Sequence, residues 1–203
     1  MCRVTGTSVV LGSTQPEAVV DRARAEAAGI SVVRRSSGGG AVLVTPDDPV
    51  WVDVWLPTGD PLWDRSVDRA FDWLGLAWVS ALDRVGLSGT AAHRQGFVAC
   101  TRWSSLVCFG GIGTGEVVTT DGRKVVGLAQ RRNRAGAWFH GACVLRWDPA
   151  PLLELLDLDA AERRAATVSL GEAAVGAADL AEERGLPAPD GPGVASSLVA
   201  SLP

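Results

Sequence analysis

The stretch TTDGRKVVGLAQ, residues 119–130, contains the only lysine in a 203-residue chain that holds nineteen lysine and arginine residues in all. Its Asp121–Gly122 pair predicts a tight hairpin turn, and the apolar run that follows predicts a returning strand that starts at Lys124. Arginine is a planar fork with a permanent charge, whereas lysine is a compact point charge. Because this chain uses arginine almost everywhere else, we predict that Lys124 is kept for catalysis or ligand binding.

The composition is that of an ordinary globular domain. Apolar residues make up 47% of the chain and charged residues 21%, and this length suffices for one domain with its own core. The formal charge of −4 argues against a general nucleic-acid binder. No apolar run reaches the length of a membrane-spanning helix, and the N-terminus lacks the pattern of a signal peptide. We expect one cytoplasmic domain over residues 1–203 whose four cysteines are reduced.

Short apolar runs separated by turn residues predict strands, and two longer stretches predict helices. Strands are expected at 8–12, 30–35, 40–44, 50–56, 97–100, 106–109, 116–119, 124–130 and 137–145. Helices are expected at 16–28, 63–85 and 148–158, with a loop at 88–96 and Ala-rich helical pieces after residue 159. Strands joined as hairpins, together with a few helices, indicate an α+β fold with a mixed, largely antiparallel sheet flanked by helices.

Two glycine-rich segments are candidate loops of the site. In RRSSGGGAV, residues 34–42, three glycines allow backbone N–H groups to approach an anion, and the two arginines can pair with phosphate oxygens. The segment matches neither a Walker loop nor a dinucleotide fingerprint, and a plain hairpin turn is the alternative. The second segment, GGIGTGE at residues 110–116, lacks basic partners, so a turn or a lid loop is expected there.

Cys108 and His140 are candidate reactive side chains. Cys108 precedes a glycine loop, so it is either a buried structural residue or a nucleophilic thiol. His140, in AWFHG, is either structural or functional. Cys100 and Cys143 are expected in the core, and nothing assigns a role to Cys2. With two histidines and no CxxC pair, no metal ligand is assigned to the protein.

Four segments, taken in order, resemble one known family. RRSSGGGAV, VWVDVWLP, DGRKVVGLAQRR and AWFHG are similar to segments of the lipoate–protein ligases and the lipoyl/octanoyl transferases, the sister group of the biotin protein ligases. The similarity extends from about residue 9 to about residue 168. It implies the α+β catalytic domain of that family, here without the family's usual N-terminal segment and C-terminal accessory domain.

The resemblance also implies residue roles. Lys124 would bridge the acyl carboxylate and the α-phosphate of a nucleotide. The implied nucleotide-binding residues are Arg34, Arg35, Ser37, Gly38, Gly39, Gly40, Ala41, Val42 and Leu43. The implied acyl-binding residues are Lys124, Gly127, Ala129, His140 and Gly141. Leu128 is bulkier than the serine that many members of the family carry at that position.

The implied activity is that of a ligase that uses ATP and Mg²⁺ to activate lipoate or octanoate as an acyl-adenylate. The acyl group would then pass to a lysine of a lipoyl carrier domain, of the 2-oxoacid dehydrogenase E2 or glycine-cleavage H-protein type. Because SLVCFGGIGTGE, residues 105–116, resembles the transferase branch, an ATP-independent transferase that uses Cys108 is the first alternative. A non-catalytic homologue that binds lipoyl groups or adenylates is the second.

Overall fold

The computed structural model describes residues 4–203. Strands β1 to β10 are Ser8–Leu11, Ser31–Arg34, Val42–Val44, Val50–Pro57, Thr90–Ala92, Val98–Ala99, Gly111–Ile112, Val117–Thr119, Lys124–Arg132 and Gly136–Cys143. Helices α1 to α6 are Arg22–Ala27, Asp72–Arg84, Ala150–Glu154, Ala160–Ala173, Ala177–Glu183 and Gly191–Val199. Single 3₁₀ turns lie at Glu17–Val19, Arg69–Phe71 and Cys108–Gly110. None of the helices in the described part of the chain is long and apolar enough to cross a membrane.

The largest sheet is antiparallel, with the strand order β4-β10-β9-β8-β5. The predicted turn between β8 and β9 is confirmed, because Gly122 has φ +86° and its N–H donates to the Thr119 carbonyl over 3.0 Å. A smaller sheet has the order β2-β1-β3, in which β1 pairs parallel with β2 and antiparallel with β3. The predicted α+β fold with a mixed, largely antiparallel sheet is therefore confirmed.

The two faces of the large sheet have different surroundings. One face carries alternate residues such as Val52 and Phe139, which pack with Trp78 of α2 and Leu198 of α6 in the main core. A second core lies between the small sheet and helices α1, α3 and α4. Side chains alternate between the faces of a strand, so Asp53, the partner of His140 in the register of β4 and β10, lies on the face opposite the main core.

A bulge sets the direction of Lys124. Val117 pairs with Val126, but Val118 pairs with Lys124, so β9 has one extra residue at this point. Val125 and Val126 both pack in the main core. A β-carbon at Gly127 would lie 3.3 Å from Lys124 Cε, which shows that the two residues share the face opposite that core. The bulge therefore turns the lysine toward the glycine-rich segments.

The helix predicted at 63–85 begins too early in the sequence. The structure has helix only from α2 onward, after a 3₁₀ turn, and Val67, which lies within the predicted range, is 57% exposed. Arg132 of β9 donates to the backbone carbonyls of Asp64 and Arg65 over 2.8 and 3.2 Å. These carbonyls are therefore held by a distant strand instead of by the N–H groups of a following helical turn.

Four further boundaries differ from the predictions. The stretch 16–28 is a 3₁₀ turn followed by the short α1, because Asp21 caps a new helix by accepting from Arg24 N–H. The predicted loop 88–96 contains β5. The strand predicted at 106–109 is wrong, because Val107 forms only an isolated bridge with Ala41 and a 3₁₀ turn begins at Cys108. The predicted helix 148–158 is limited to the five residues of α3. The strands β1 to β4 and β8 to β10 lie within a few residues of their predicted positions.

Replacing Gly75 in α2 with alanine should destabilise the protein, whereas the same change at Gly171 in α4 should stabilise it. A β-carbon at Gly75 would lie 2.4 Å from the Gly115 carbonyl oxygen, but Gly171 has no such neighbour within 4 Å. Alanine gains about 0.5–1 kcal/mol over glycine in a helix, and overpacking against backbone costs about 1–3 kcal/mol. Urea unfolding of both variants checks the opposite signs, and a stabilised Gly75→Ala variant would contradict this packing.

Candidate active site

Lys124 is buried and fully paired. Its side chain is 1% exposed, and Nζ lies 2.7 Å from Glu116 Oε2. The same ammonium donates to the backbone carbonyls of Cys108 over 2.9 Å and Gly111 over 3.0 Å. An ammonium group has three N–H donors, so these three acceptors account for all of them. The ligand-bridging role that the resemblance implies for Lys124 stays a prediction.

Glu116 holds this arrangement together. Its Oε1 accepts from Leu128 N–H over 3.0 Å, and its Oε2 accepts from Gly113 N–H over 2.7 Å. Burial alone would lower the pKa of Lys124, but the Glu116 carboxylate raises it above its ordinary value. The lysine is therefore a fixed positive charge at neutral pH. The sequence analysis did not identify Glu116 as a site residue. The feature that could have identified it is its position as a single charged residue between a glycine-rich loop and an apolar strand.

The RRSSGGGAV loop is held by its own arginines. Arg35 donates to the carbonyls of Gly38 over 2.7 Å and Gly40 over 2.9 Å. Arg34 donates to the carbonyls of Gly12 and Gln15 over 2.7 and 2.6 Å. Both guanidinium groups thus stabilise backbone, and the predicted contact of each with phosphate stays a prediction.

Several predicted site residues surround one small cavity. It is lined by Arg35, Val42, Trp51, Cys108, Gly127, Leu128, Ala129, His140 and Ala142, and its volume is about 20 Å³. Gly127 and Ala129 face this side of β9. Leu128 packs in the main core with its side chain, so its bulk does not fill the space in front of the two small residues. Cys108 therefore lines the same cavity as three of the predicted acyl-binding residues, Gly127, Ala129 and His140.

A larger cavity of about 230 Å³ adjoins the first at Val42. Its walls include Ala41, Val42 and Leu43, together with Val107 and Phe109, which flank Cys108 in the chain. The predicted nucleotide-binding segment therefore borders a mainly apolar space next to the thiol.

Seven predicted site residues line neither cavity, namely Lys124, Gly38, Gly39, Gly40, Arg34, Ser37 and Gly141. Arg34 approaches Glu17 of the 3₁₀ turn at Glu17–Val19. Ser37 is 1% exposed, and its Oγ lacks a hydrogen-bond partner among the described residues. Gly141 faces the main core, where a β-carbon would lie 2.7 Å from Trp78 Nε1. Its absence of a side chain therefore makes room for the indole ring of Trp78.

The three cysteines of the described residues are free thiols with different surroundings. Cys143 is buried, and burial raises the pKa of its thiol far above the ordinary value. Cys100 is exposed and Cys108 is half-buried, so the prediction of a core position is right for Cys143 and wrong for Cys100. Cys2 lies outside the described residues. Among the described thiols, Cys108 is the one that lines the small cavity.

His140 is oriented by two residues of β4. Its Nδ1 lies 2.6 Å from Asp53 Oδ1, and Trp51 Nε1 donates to the same oxygen over 2.8 Å. The buried His140 Nε2 has no hydrogen-bond partner within residues 4–203. Sequence reasoning missed Asp53, although it is the only charged residue in the apolar strand VWVDVWLP.

The described residues offer little to a metal ion. They contain no group of three or more histidine, cysteine, aspartate or glutamate residues that could hold one. Glu116, the carboxylate nearest to Lys124, already accepts hydrogen bonds on both oxygens. A Mg²⁺ ion prefers oxygen ligands and often arrives with substrate phosphates, so we derive no step through an ion held by protein side chains.

Comparison with known proteins identifies the family. Residues 2–188 match the family described as the lipoyl protein ligase A/B catalytic domain. The chain belongs to this family. The match confirms the resemblance carried by the glycine loop, the lysine strand and the AWFHG segment.

The chain is similar to octanoyltransferases in sequence and to a lipoate protein ligase in fold. The chain is 32% identical over 139 residues to octanoyltransferase LipM of Kyrpidia tusciae, covering 68% of this chain and 50% of that protein. It is 29% identical over 162 residues to octanoyltransferase LipM of an Exiguobacterium strain, covering 77% and 56%. The chain thus spans about half the length of the curated relatives it matches.

The fold resembles a bipartite lipoate protein ligase of Thermoplasma acidophilum, solved in a study that includes its E2 lipoyl domain. That likeness has a TM-score of 0.74 and 21% identity, and it covers 97% of this chain and 66% of that one.

The ion pair of Lys124 and Glu116 should show strong coupling in a double-mutant cycle. Lys124→Met and Glu116→Gln should each cost about 3–5 kcal/mol of unfolding free energy, because each leaves a buried group without its partner. The double variant should lose less than the sum, with a coupling of about 2–3 kcal/mol. Urea unfolding of the four proteins measures this coupling. Additive losses would show that the two side chains do not depend on each other.

Proposed function

We propose that this chain is a cysteine-dependent acyltransferase that moves an octanoyl group through a thioester on Cys108. The observation that carries the proposal is the placement of the Cys108 thiol in a cavity with His140 and Arg35. The names of the LipM relatives supply the octanoyl group. Because the chain covers about half of each relative, the activity is proposed for this domain from its own residues.

The reaction consists of two acyl transfers. The sulfur of Cys108 attacks the carbonyl carbon of an octanoyl thioester on a carrier protein, a C–S bond to Cys108 forms, and the C–S bond to the carrier breaks. The carrier leaves with the proton that the Cys108 thiol gives up. The ε-amine of a lysine on a lipoyl carrier domain then attacks the new thioester. An amide forms, the Cys108 sulfur is released, and it regains the proton that the amine loses.

The surroundings of Cys108 suit this chemistry. Positive charges on Arg35 and Lys124 interact electrostatically with the thiol, so they favour the negative charge that develops in each attack.

The backbone N–H groups of Gly38, Gly39 and Gly40 have no backbone acceptor within residues 4–203. They are donors that could serve a substrate oxygen. The adjoining cavity of about 230 Å³ has the apolar walls that an octanoyl chain requires.

Lys124 argues for transfer over ligation. In the ligase scheme its ammonium would contact an acyl carboxylate and a phosphate together. In this structure its donors are taken by Cys108 O, Gly111 O and Glu116. A lysine that supports the backbone of the nucleophile fits the transferase scheme without any rearrangement.

Incubation with an octanoyl thioester should acylate Cys108. We expect one octanoyl adduct by intact-mass spectrometry on the unaltered protein and none on Cys108→Ala. The exposed Cys100 provides the matched control, because Cys100→Ser should keep the adduct. Addition of a lipoyl domain should discharge the adduct onto a lysine of that domain. An adduct that survives in Cys108→Ala, or that needs Cys100, would contradict the proposal.

ATP-dependent ligation is the second candidate. The observation that favours it is that the predicted nucleotide-binding residues Ala41, Val42 and Leu43 line a cavity beside the site. The ligase would release pyrophosphate from Mg-ATP with lipoate or octanoate, and Cys108→Ala would leave this release unchanged. Pyrophosphate release that is independent of Cys108 would assign the chain to the ligases. Binding of an acyl-adenylate without either reaction would favour a non-catalytic homologue.

A further inference from the structure

The face of the large sheet opposite the main core carries a regular array of side chains. Alternation along each strand and the register of β4, β10 and β9 place nine residues on this face in three rows. The inner row is Gly127, Ala142 and Trp51, the middle row is Ala129, His140 and Asp53, and the outer row is Arg131, Trp138 and Trp55. At about 3.3 Å per residue, the outer row lies about 13 Å from the inner one.

The array runs from a covered end to an exposed end. Every residue of the inner row lines the small cavity together with Cys108. In the middle row Ala129 and His140 are half-buried, whereas Trp138 and Trp55 of the outer row are 40% and 39% exposed. Of the eight tryptophans, all of which lie within residues 4–203, these two are the exposed ones. The outer row is therefore the exposed part of a surface that continues to the cavity of the thiol.

The two exposed tryptophans are ordered by their neighbours. They are register partners on β4 and β10, and their ring centroids lie 4.0 Å apart. A β-carbon at Gly136 would lie 2.7 Å from Cζ2 and Cη2 of Trp55, so this glycine leaves the space in which the indole ring lies. A side chain that is already ordered loses little freedom when a partner covers it. The pair is therefore a favourable contact surface for another macromolecule.

Two arginines at this end of the sheet have no anionic partner. Arg131 is the register partner of Trp138, and Arg134 lies in the turn between β9 and β10. Both are exposed, and neither forms an ion pair within residues 4–203. By contrast, the exposed Arg146 pairs with two carboxylates. Carboxylates of a partner would complement the unpaired positive charge beside the two tryptophans.

The proposed acyl transfer requires an acceptor domain close to this face. A lysine side chain has a four-carbon stem, so a domain that presents its lysine to the thioester on Cys108 must rest against the protein near the cavity. Tryptophan and arginine are enriched among the residues that contribute most to protein–protein binding. The outer row consists of these two residue types alone.

We propose that the outer row, Arg131, Trp138 and Trp55, is the docking surface for the lipoyl carrier domain that accepts the acyl group. Apolar side chains of the domain cover the two indole rings, and a carboxylate of the domain pairs with Arg131. The acceptor lysine then extends over the middle row toward Cys108. The identity of this partner rests on the proposed acyl transfer, whereas docking itself requires no turnover.

Binding of a lipoyl domain to the unacylated chain tests the surface without any reaction. By isothermal titration calorimetry, Trp138→Ala and Arg131→Glu should each raise the dissociation constant about tenfold or more. Added salt should weaken binding to the unaltered chain more than binding to Arg131→Glu. The matched control is Arg164→Glu, the same charge reversal at an exposed residue of α4, which should bind as tightly as the unaltered chain. Equal affinity of the unaltered chain, Arg131→Glu and Trp138→Ala, or no binding to the unaltered chain, would overturn the proposal.

Discharge of acylated Cys108 separates docking from chemistry. After acylation by a soluble octanoyl thioester, Arg131→Glu and Trp138→Ala should show a KM for the lipoyl domain that is about tenfold higher. Their rate with butylamine, which needs no docking surface, should be unchanged. An unchanged KM in the folded variants would overturn the docking surface and leave the acyltransferase proposal standing.

Two further outcomes distinguish the docking surface from the alternatives. Binding of the lipoyl domain that depends on Arg131 and Trp138, in a chain that never accepts an octanoyl group, would support the surface and refute the acyl transfer. A dimer of this chain that Trp138→Ala dissociates, with unchanged binding of the lipoyl domain, would overturn the proposal and assign the outer row to self-association. Analytical ultracentrifugation of both proteins measures this.

Discussion

The buried ion pair of Lys124 and Glu116 is the interaction on which the candidate site depends. A charge inside a protein is tolerated when it is paired and hydrogen-bonded, and here both ions also bind backbone groups. The ammonium holds the carbonyls of Cys108 and Gly111, while the carboxylate holds the N–H groups of Gly113 and Leu128. Three points of backbone within residues 108–113 and one point on β9 are thereby fixed around one pair of charges.

The same pair explains why this position is a lysine. Three acceptors converge on a single atom, Nζ, at distances of 2.7 to 3.0 Å. A compact ammonium can donate to all three, whereas the planar fork of a guanidinium directs its donors along fixed lines. The prediction that Lys124 serves catalysis or ligand binding stays a prediction. Its partners in this structure are the protein's own oxygens, among them the carbonyl of Cys108, so the lysine holds the backbone of the residue that carries the thiol.

Local signals were enough to predict much of the fold. The Asp121–Gly122 turn is predictable because its conformation depends on two adjacent residues, and the strands around it follow from apolar runs. The bulge that aims Lys124 depends on how β9 pairs with β8, which no local pattern records. The backbone before α2 is held by Arg132, which lies 68 residues from Asp64 in the chain. Pairings over such separations decide boundaries that propensity alone places elsewhere.

The residues of the candidate site likewise divide into those that local sequence predicts and those that depend on long-range pairing. Cys108, Gly127, Ala129 and His140 are found from short segments and from the family that those segments resemble. Glu116 and Asp53 are missed, since their importance arises from partners on other strands.

Each of these two carboxylates nevertheless interrupts an apolar or glycine-rich run, which is the signal that could have found it. A strand with one face in the core can place an ionised side chain on its other face without breaking the alternation. Asp53 lies 87 residues from His140 in the chain, yet the register of β4 and β10 makes them direct neighbours.

The two carboxylates give the two basic side chains different tasks. Glu116 is 5% exposed and bound on both oxygens, so its charge is fully committed to Lys124. It keeps the ammonium protonated, and the lysine becomes a permanent electrostatic element behind the thiol. Asp53 instead pairs with the Nδ1 atom of the His140 ring and also accepts from Trp51 Nε1. The first carboxylate therefore fixes a buried charge, whereas the second fixes the orientation of a ring, and strand register decides the second pairing because Asp53 and His140 are partners on β4 and β10.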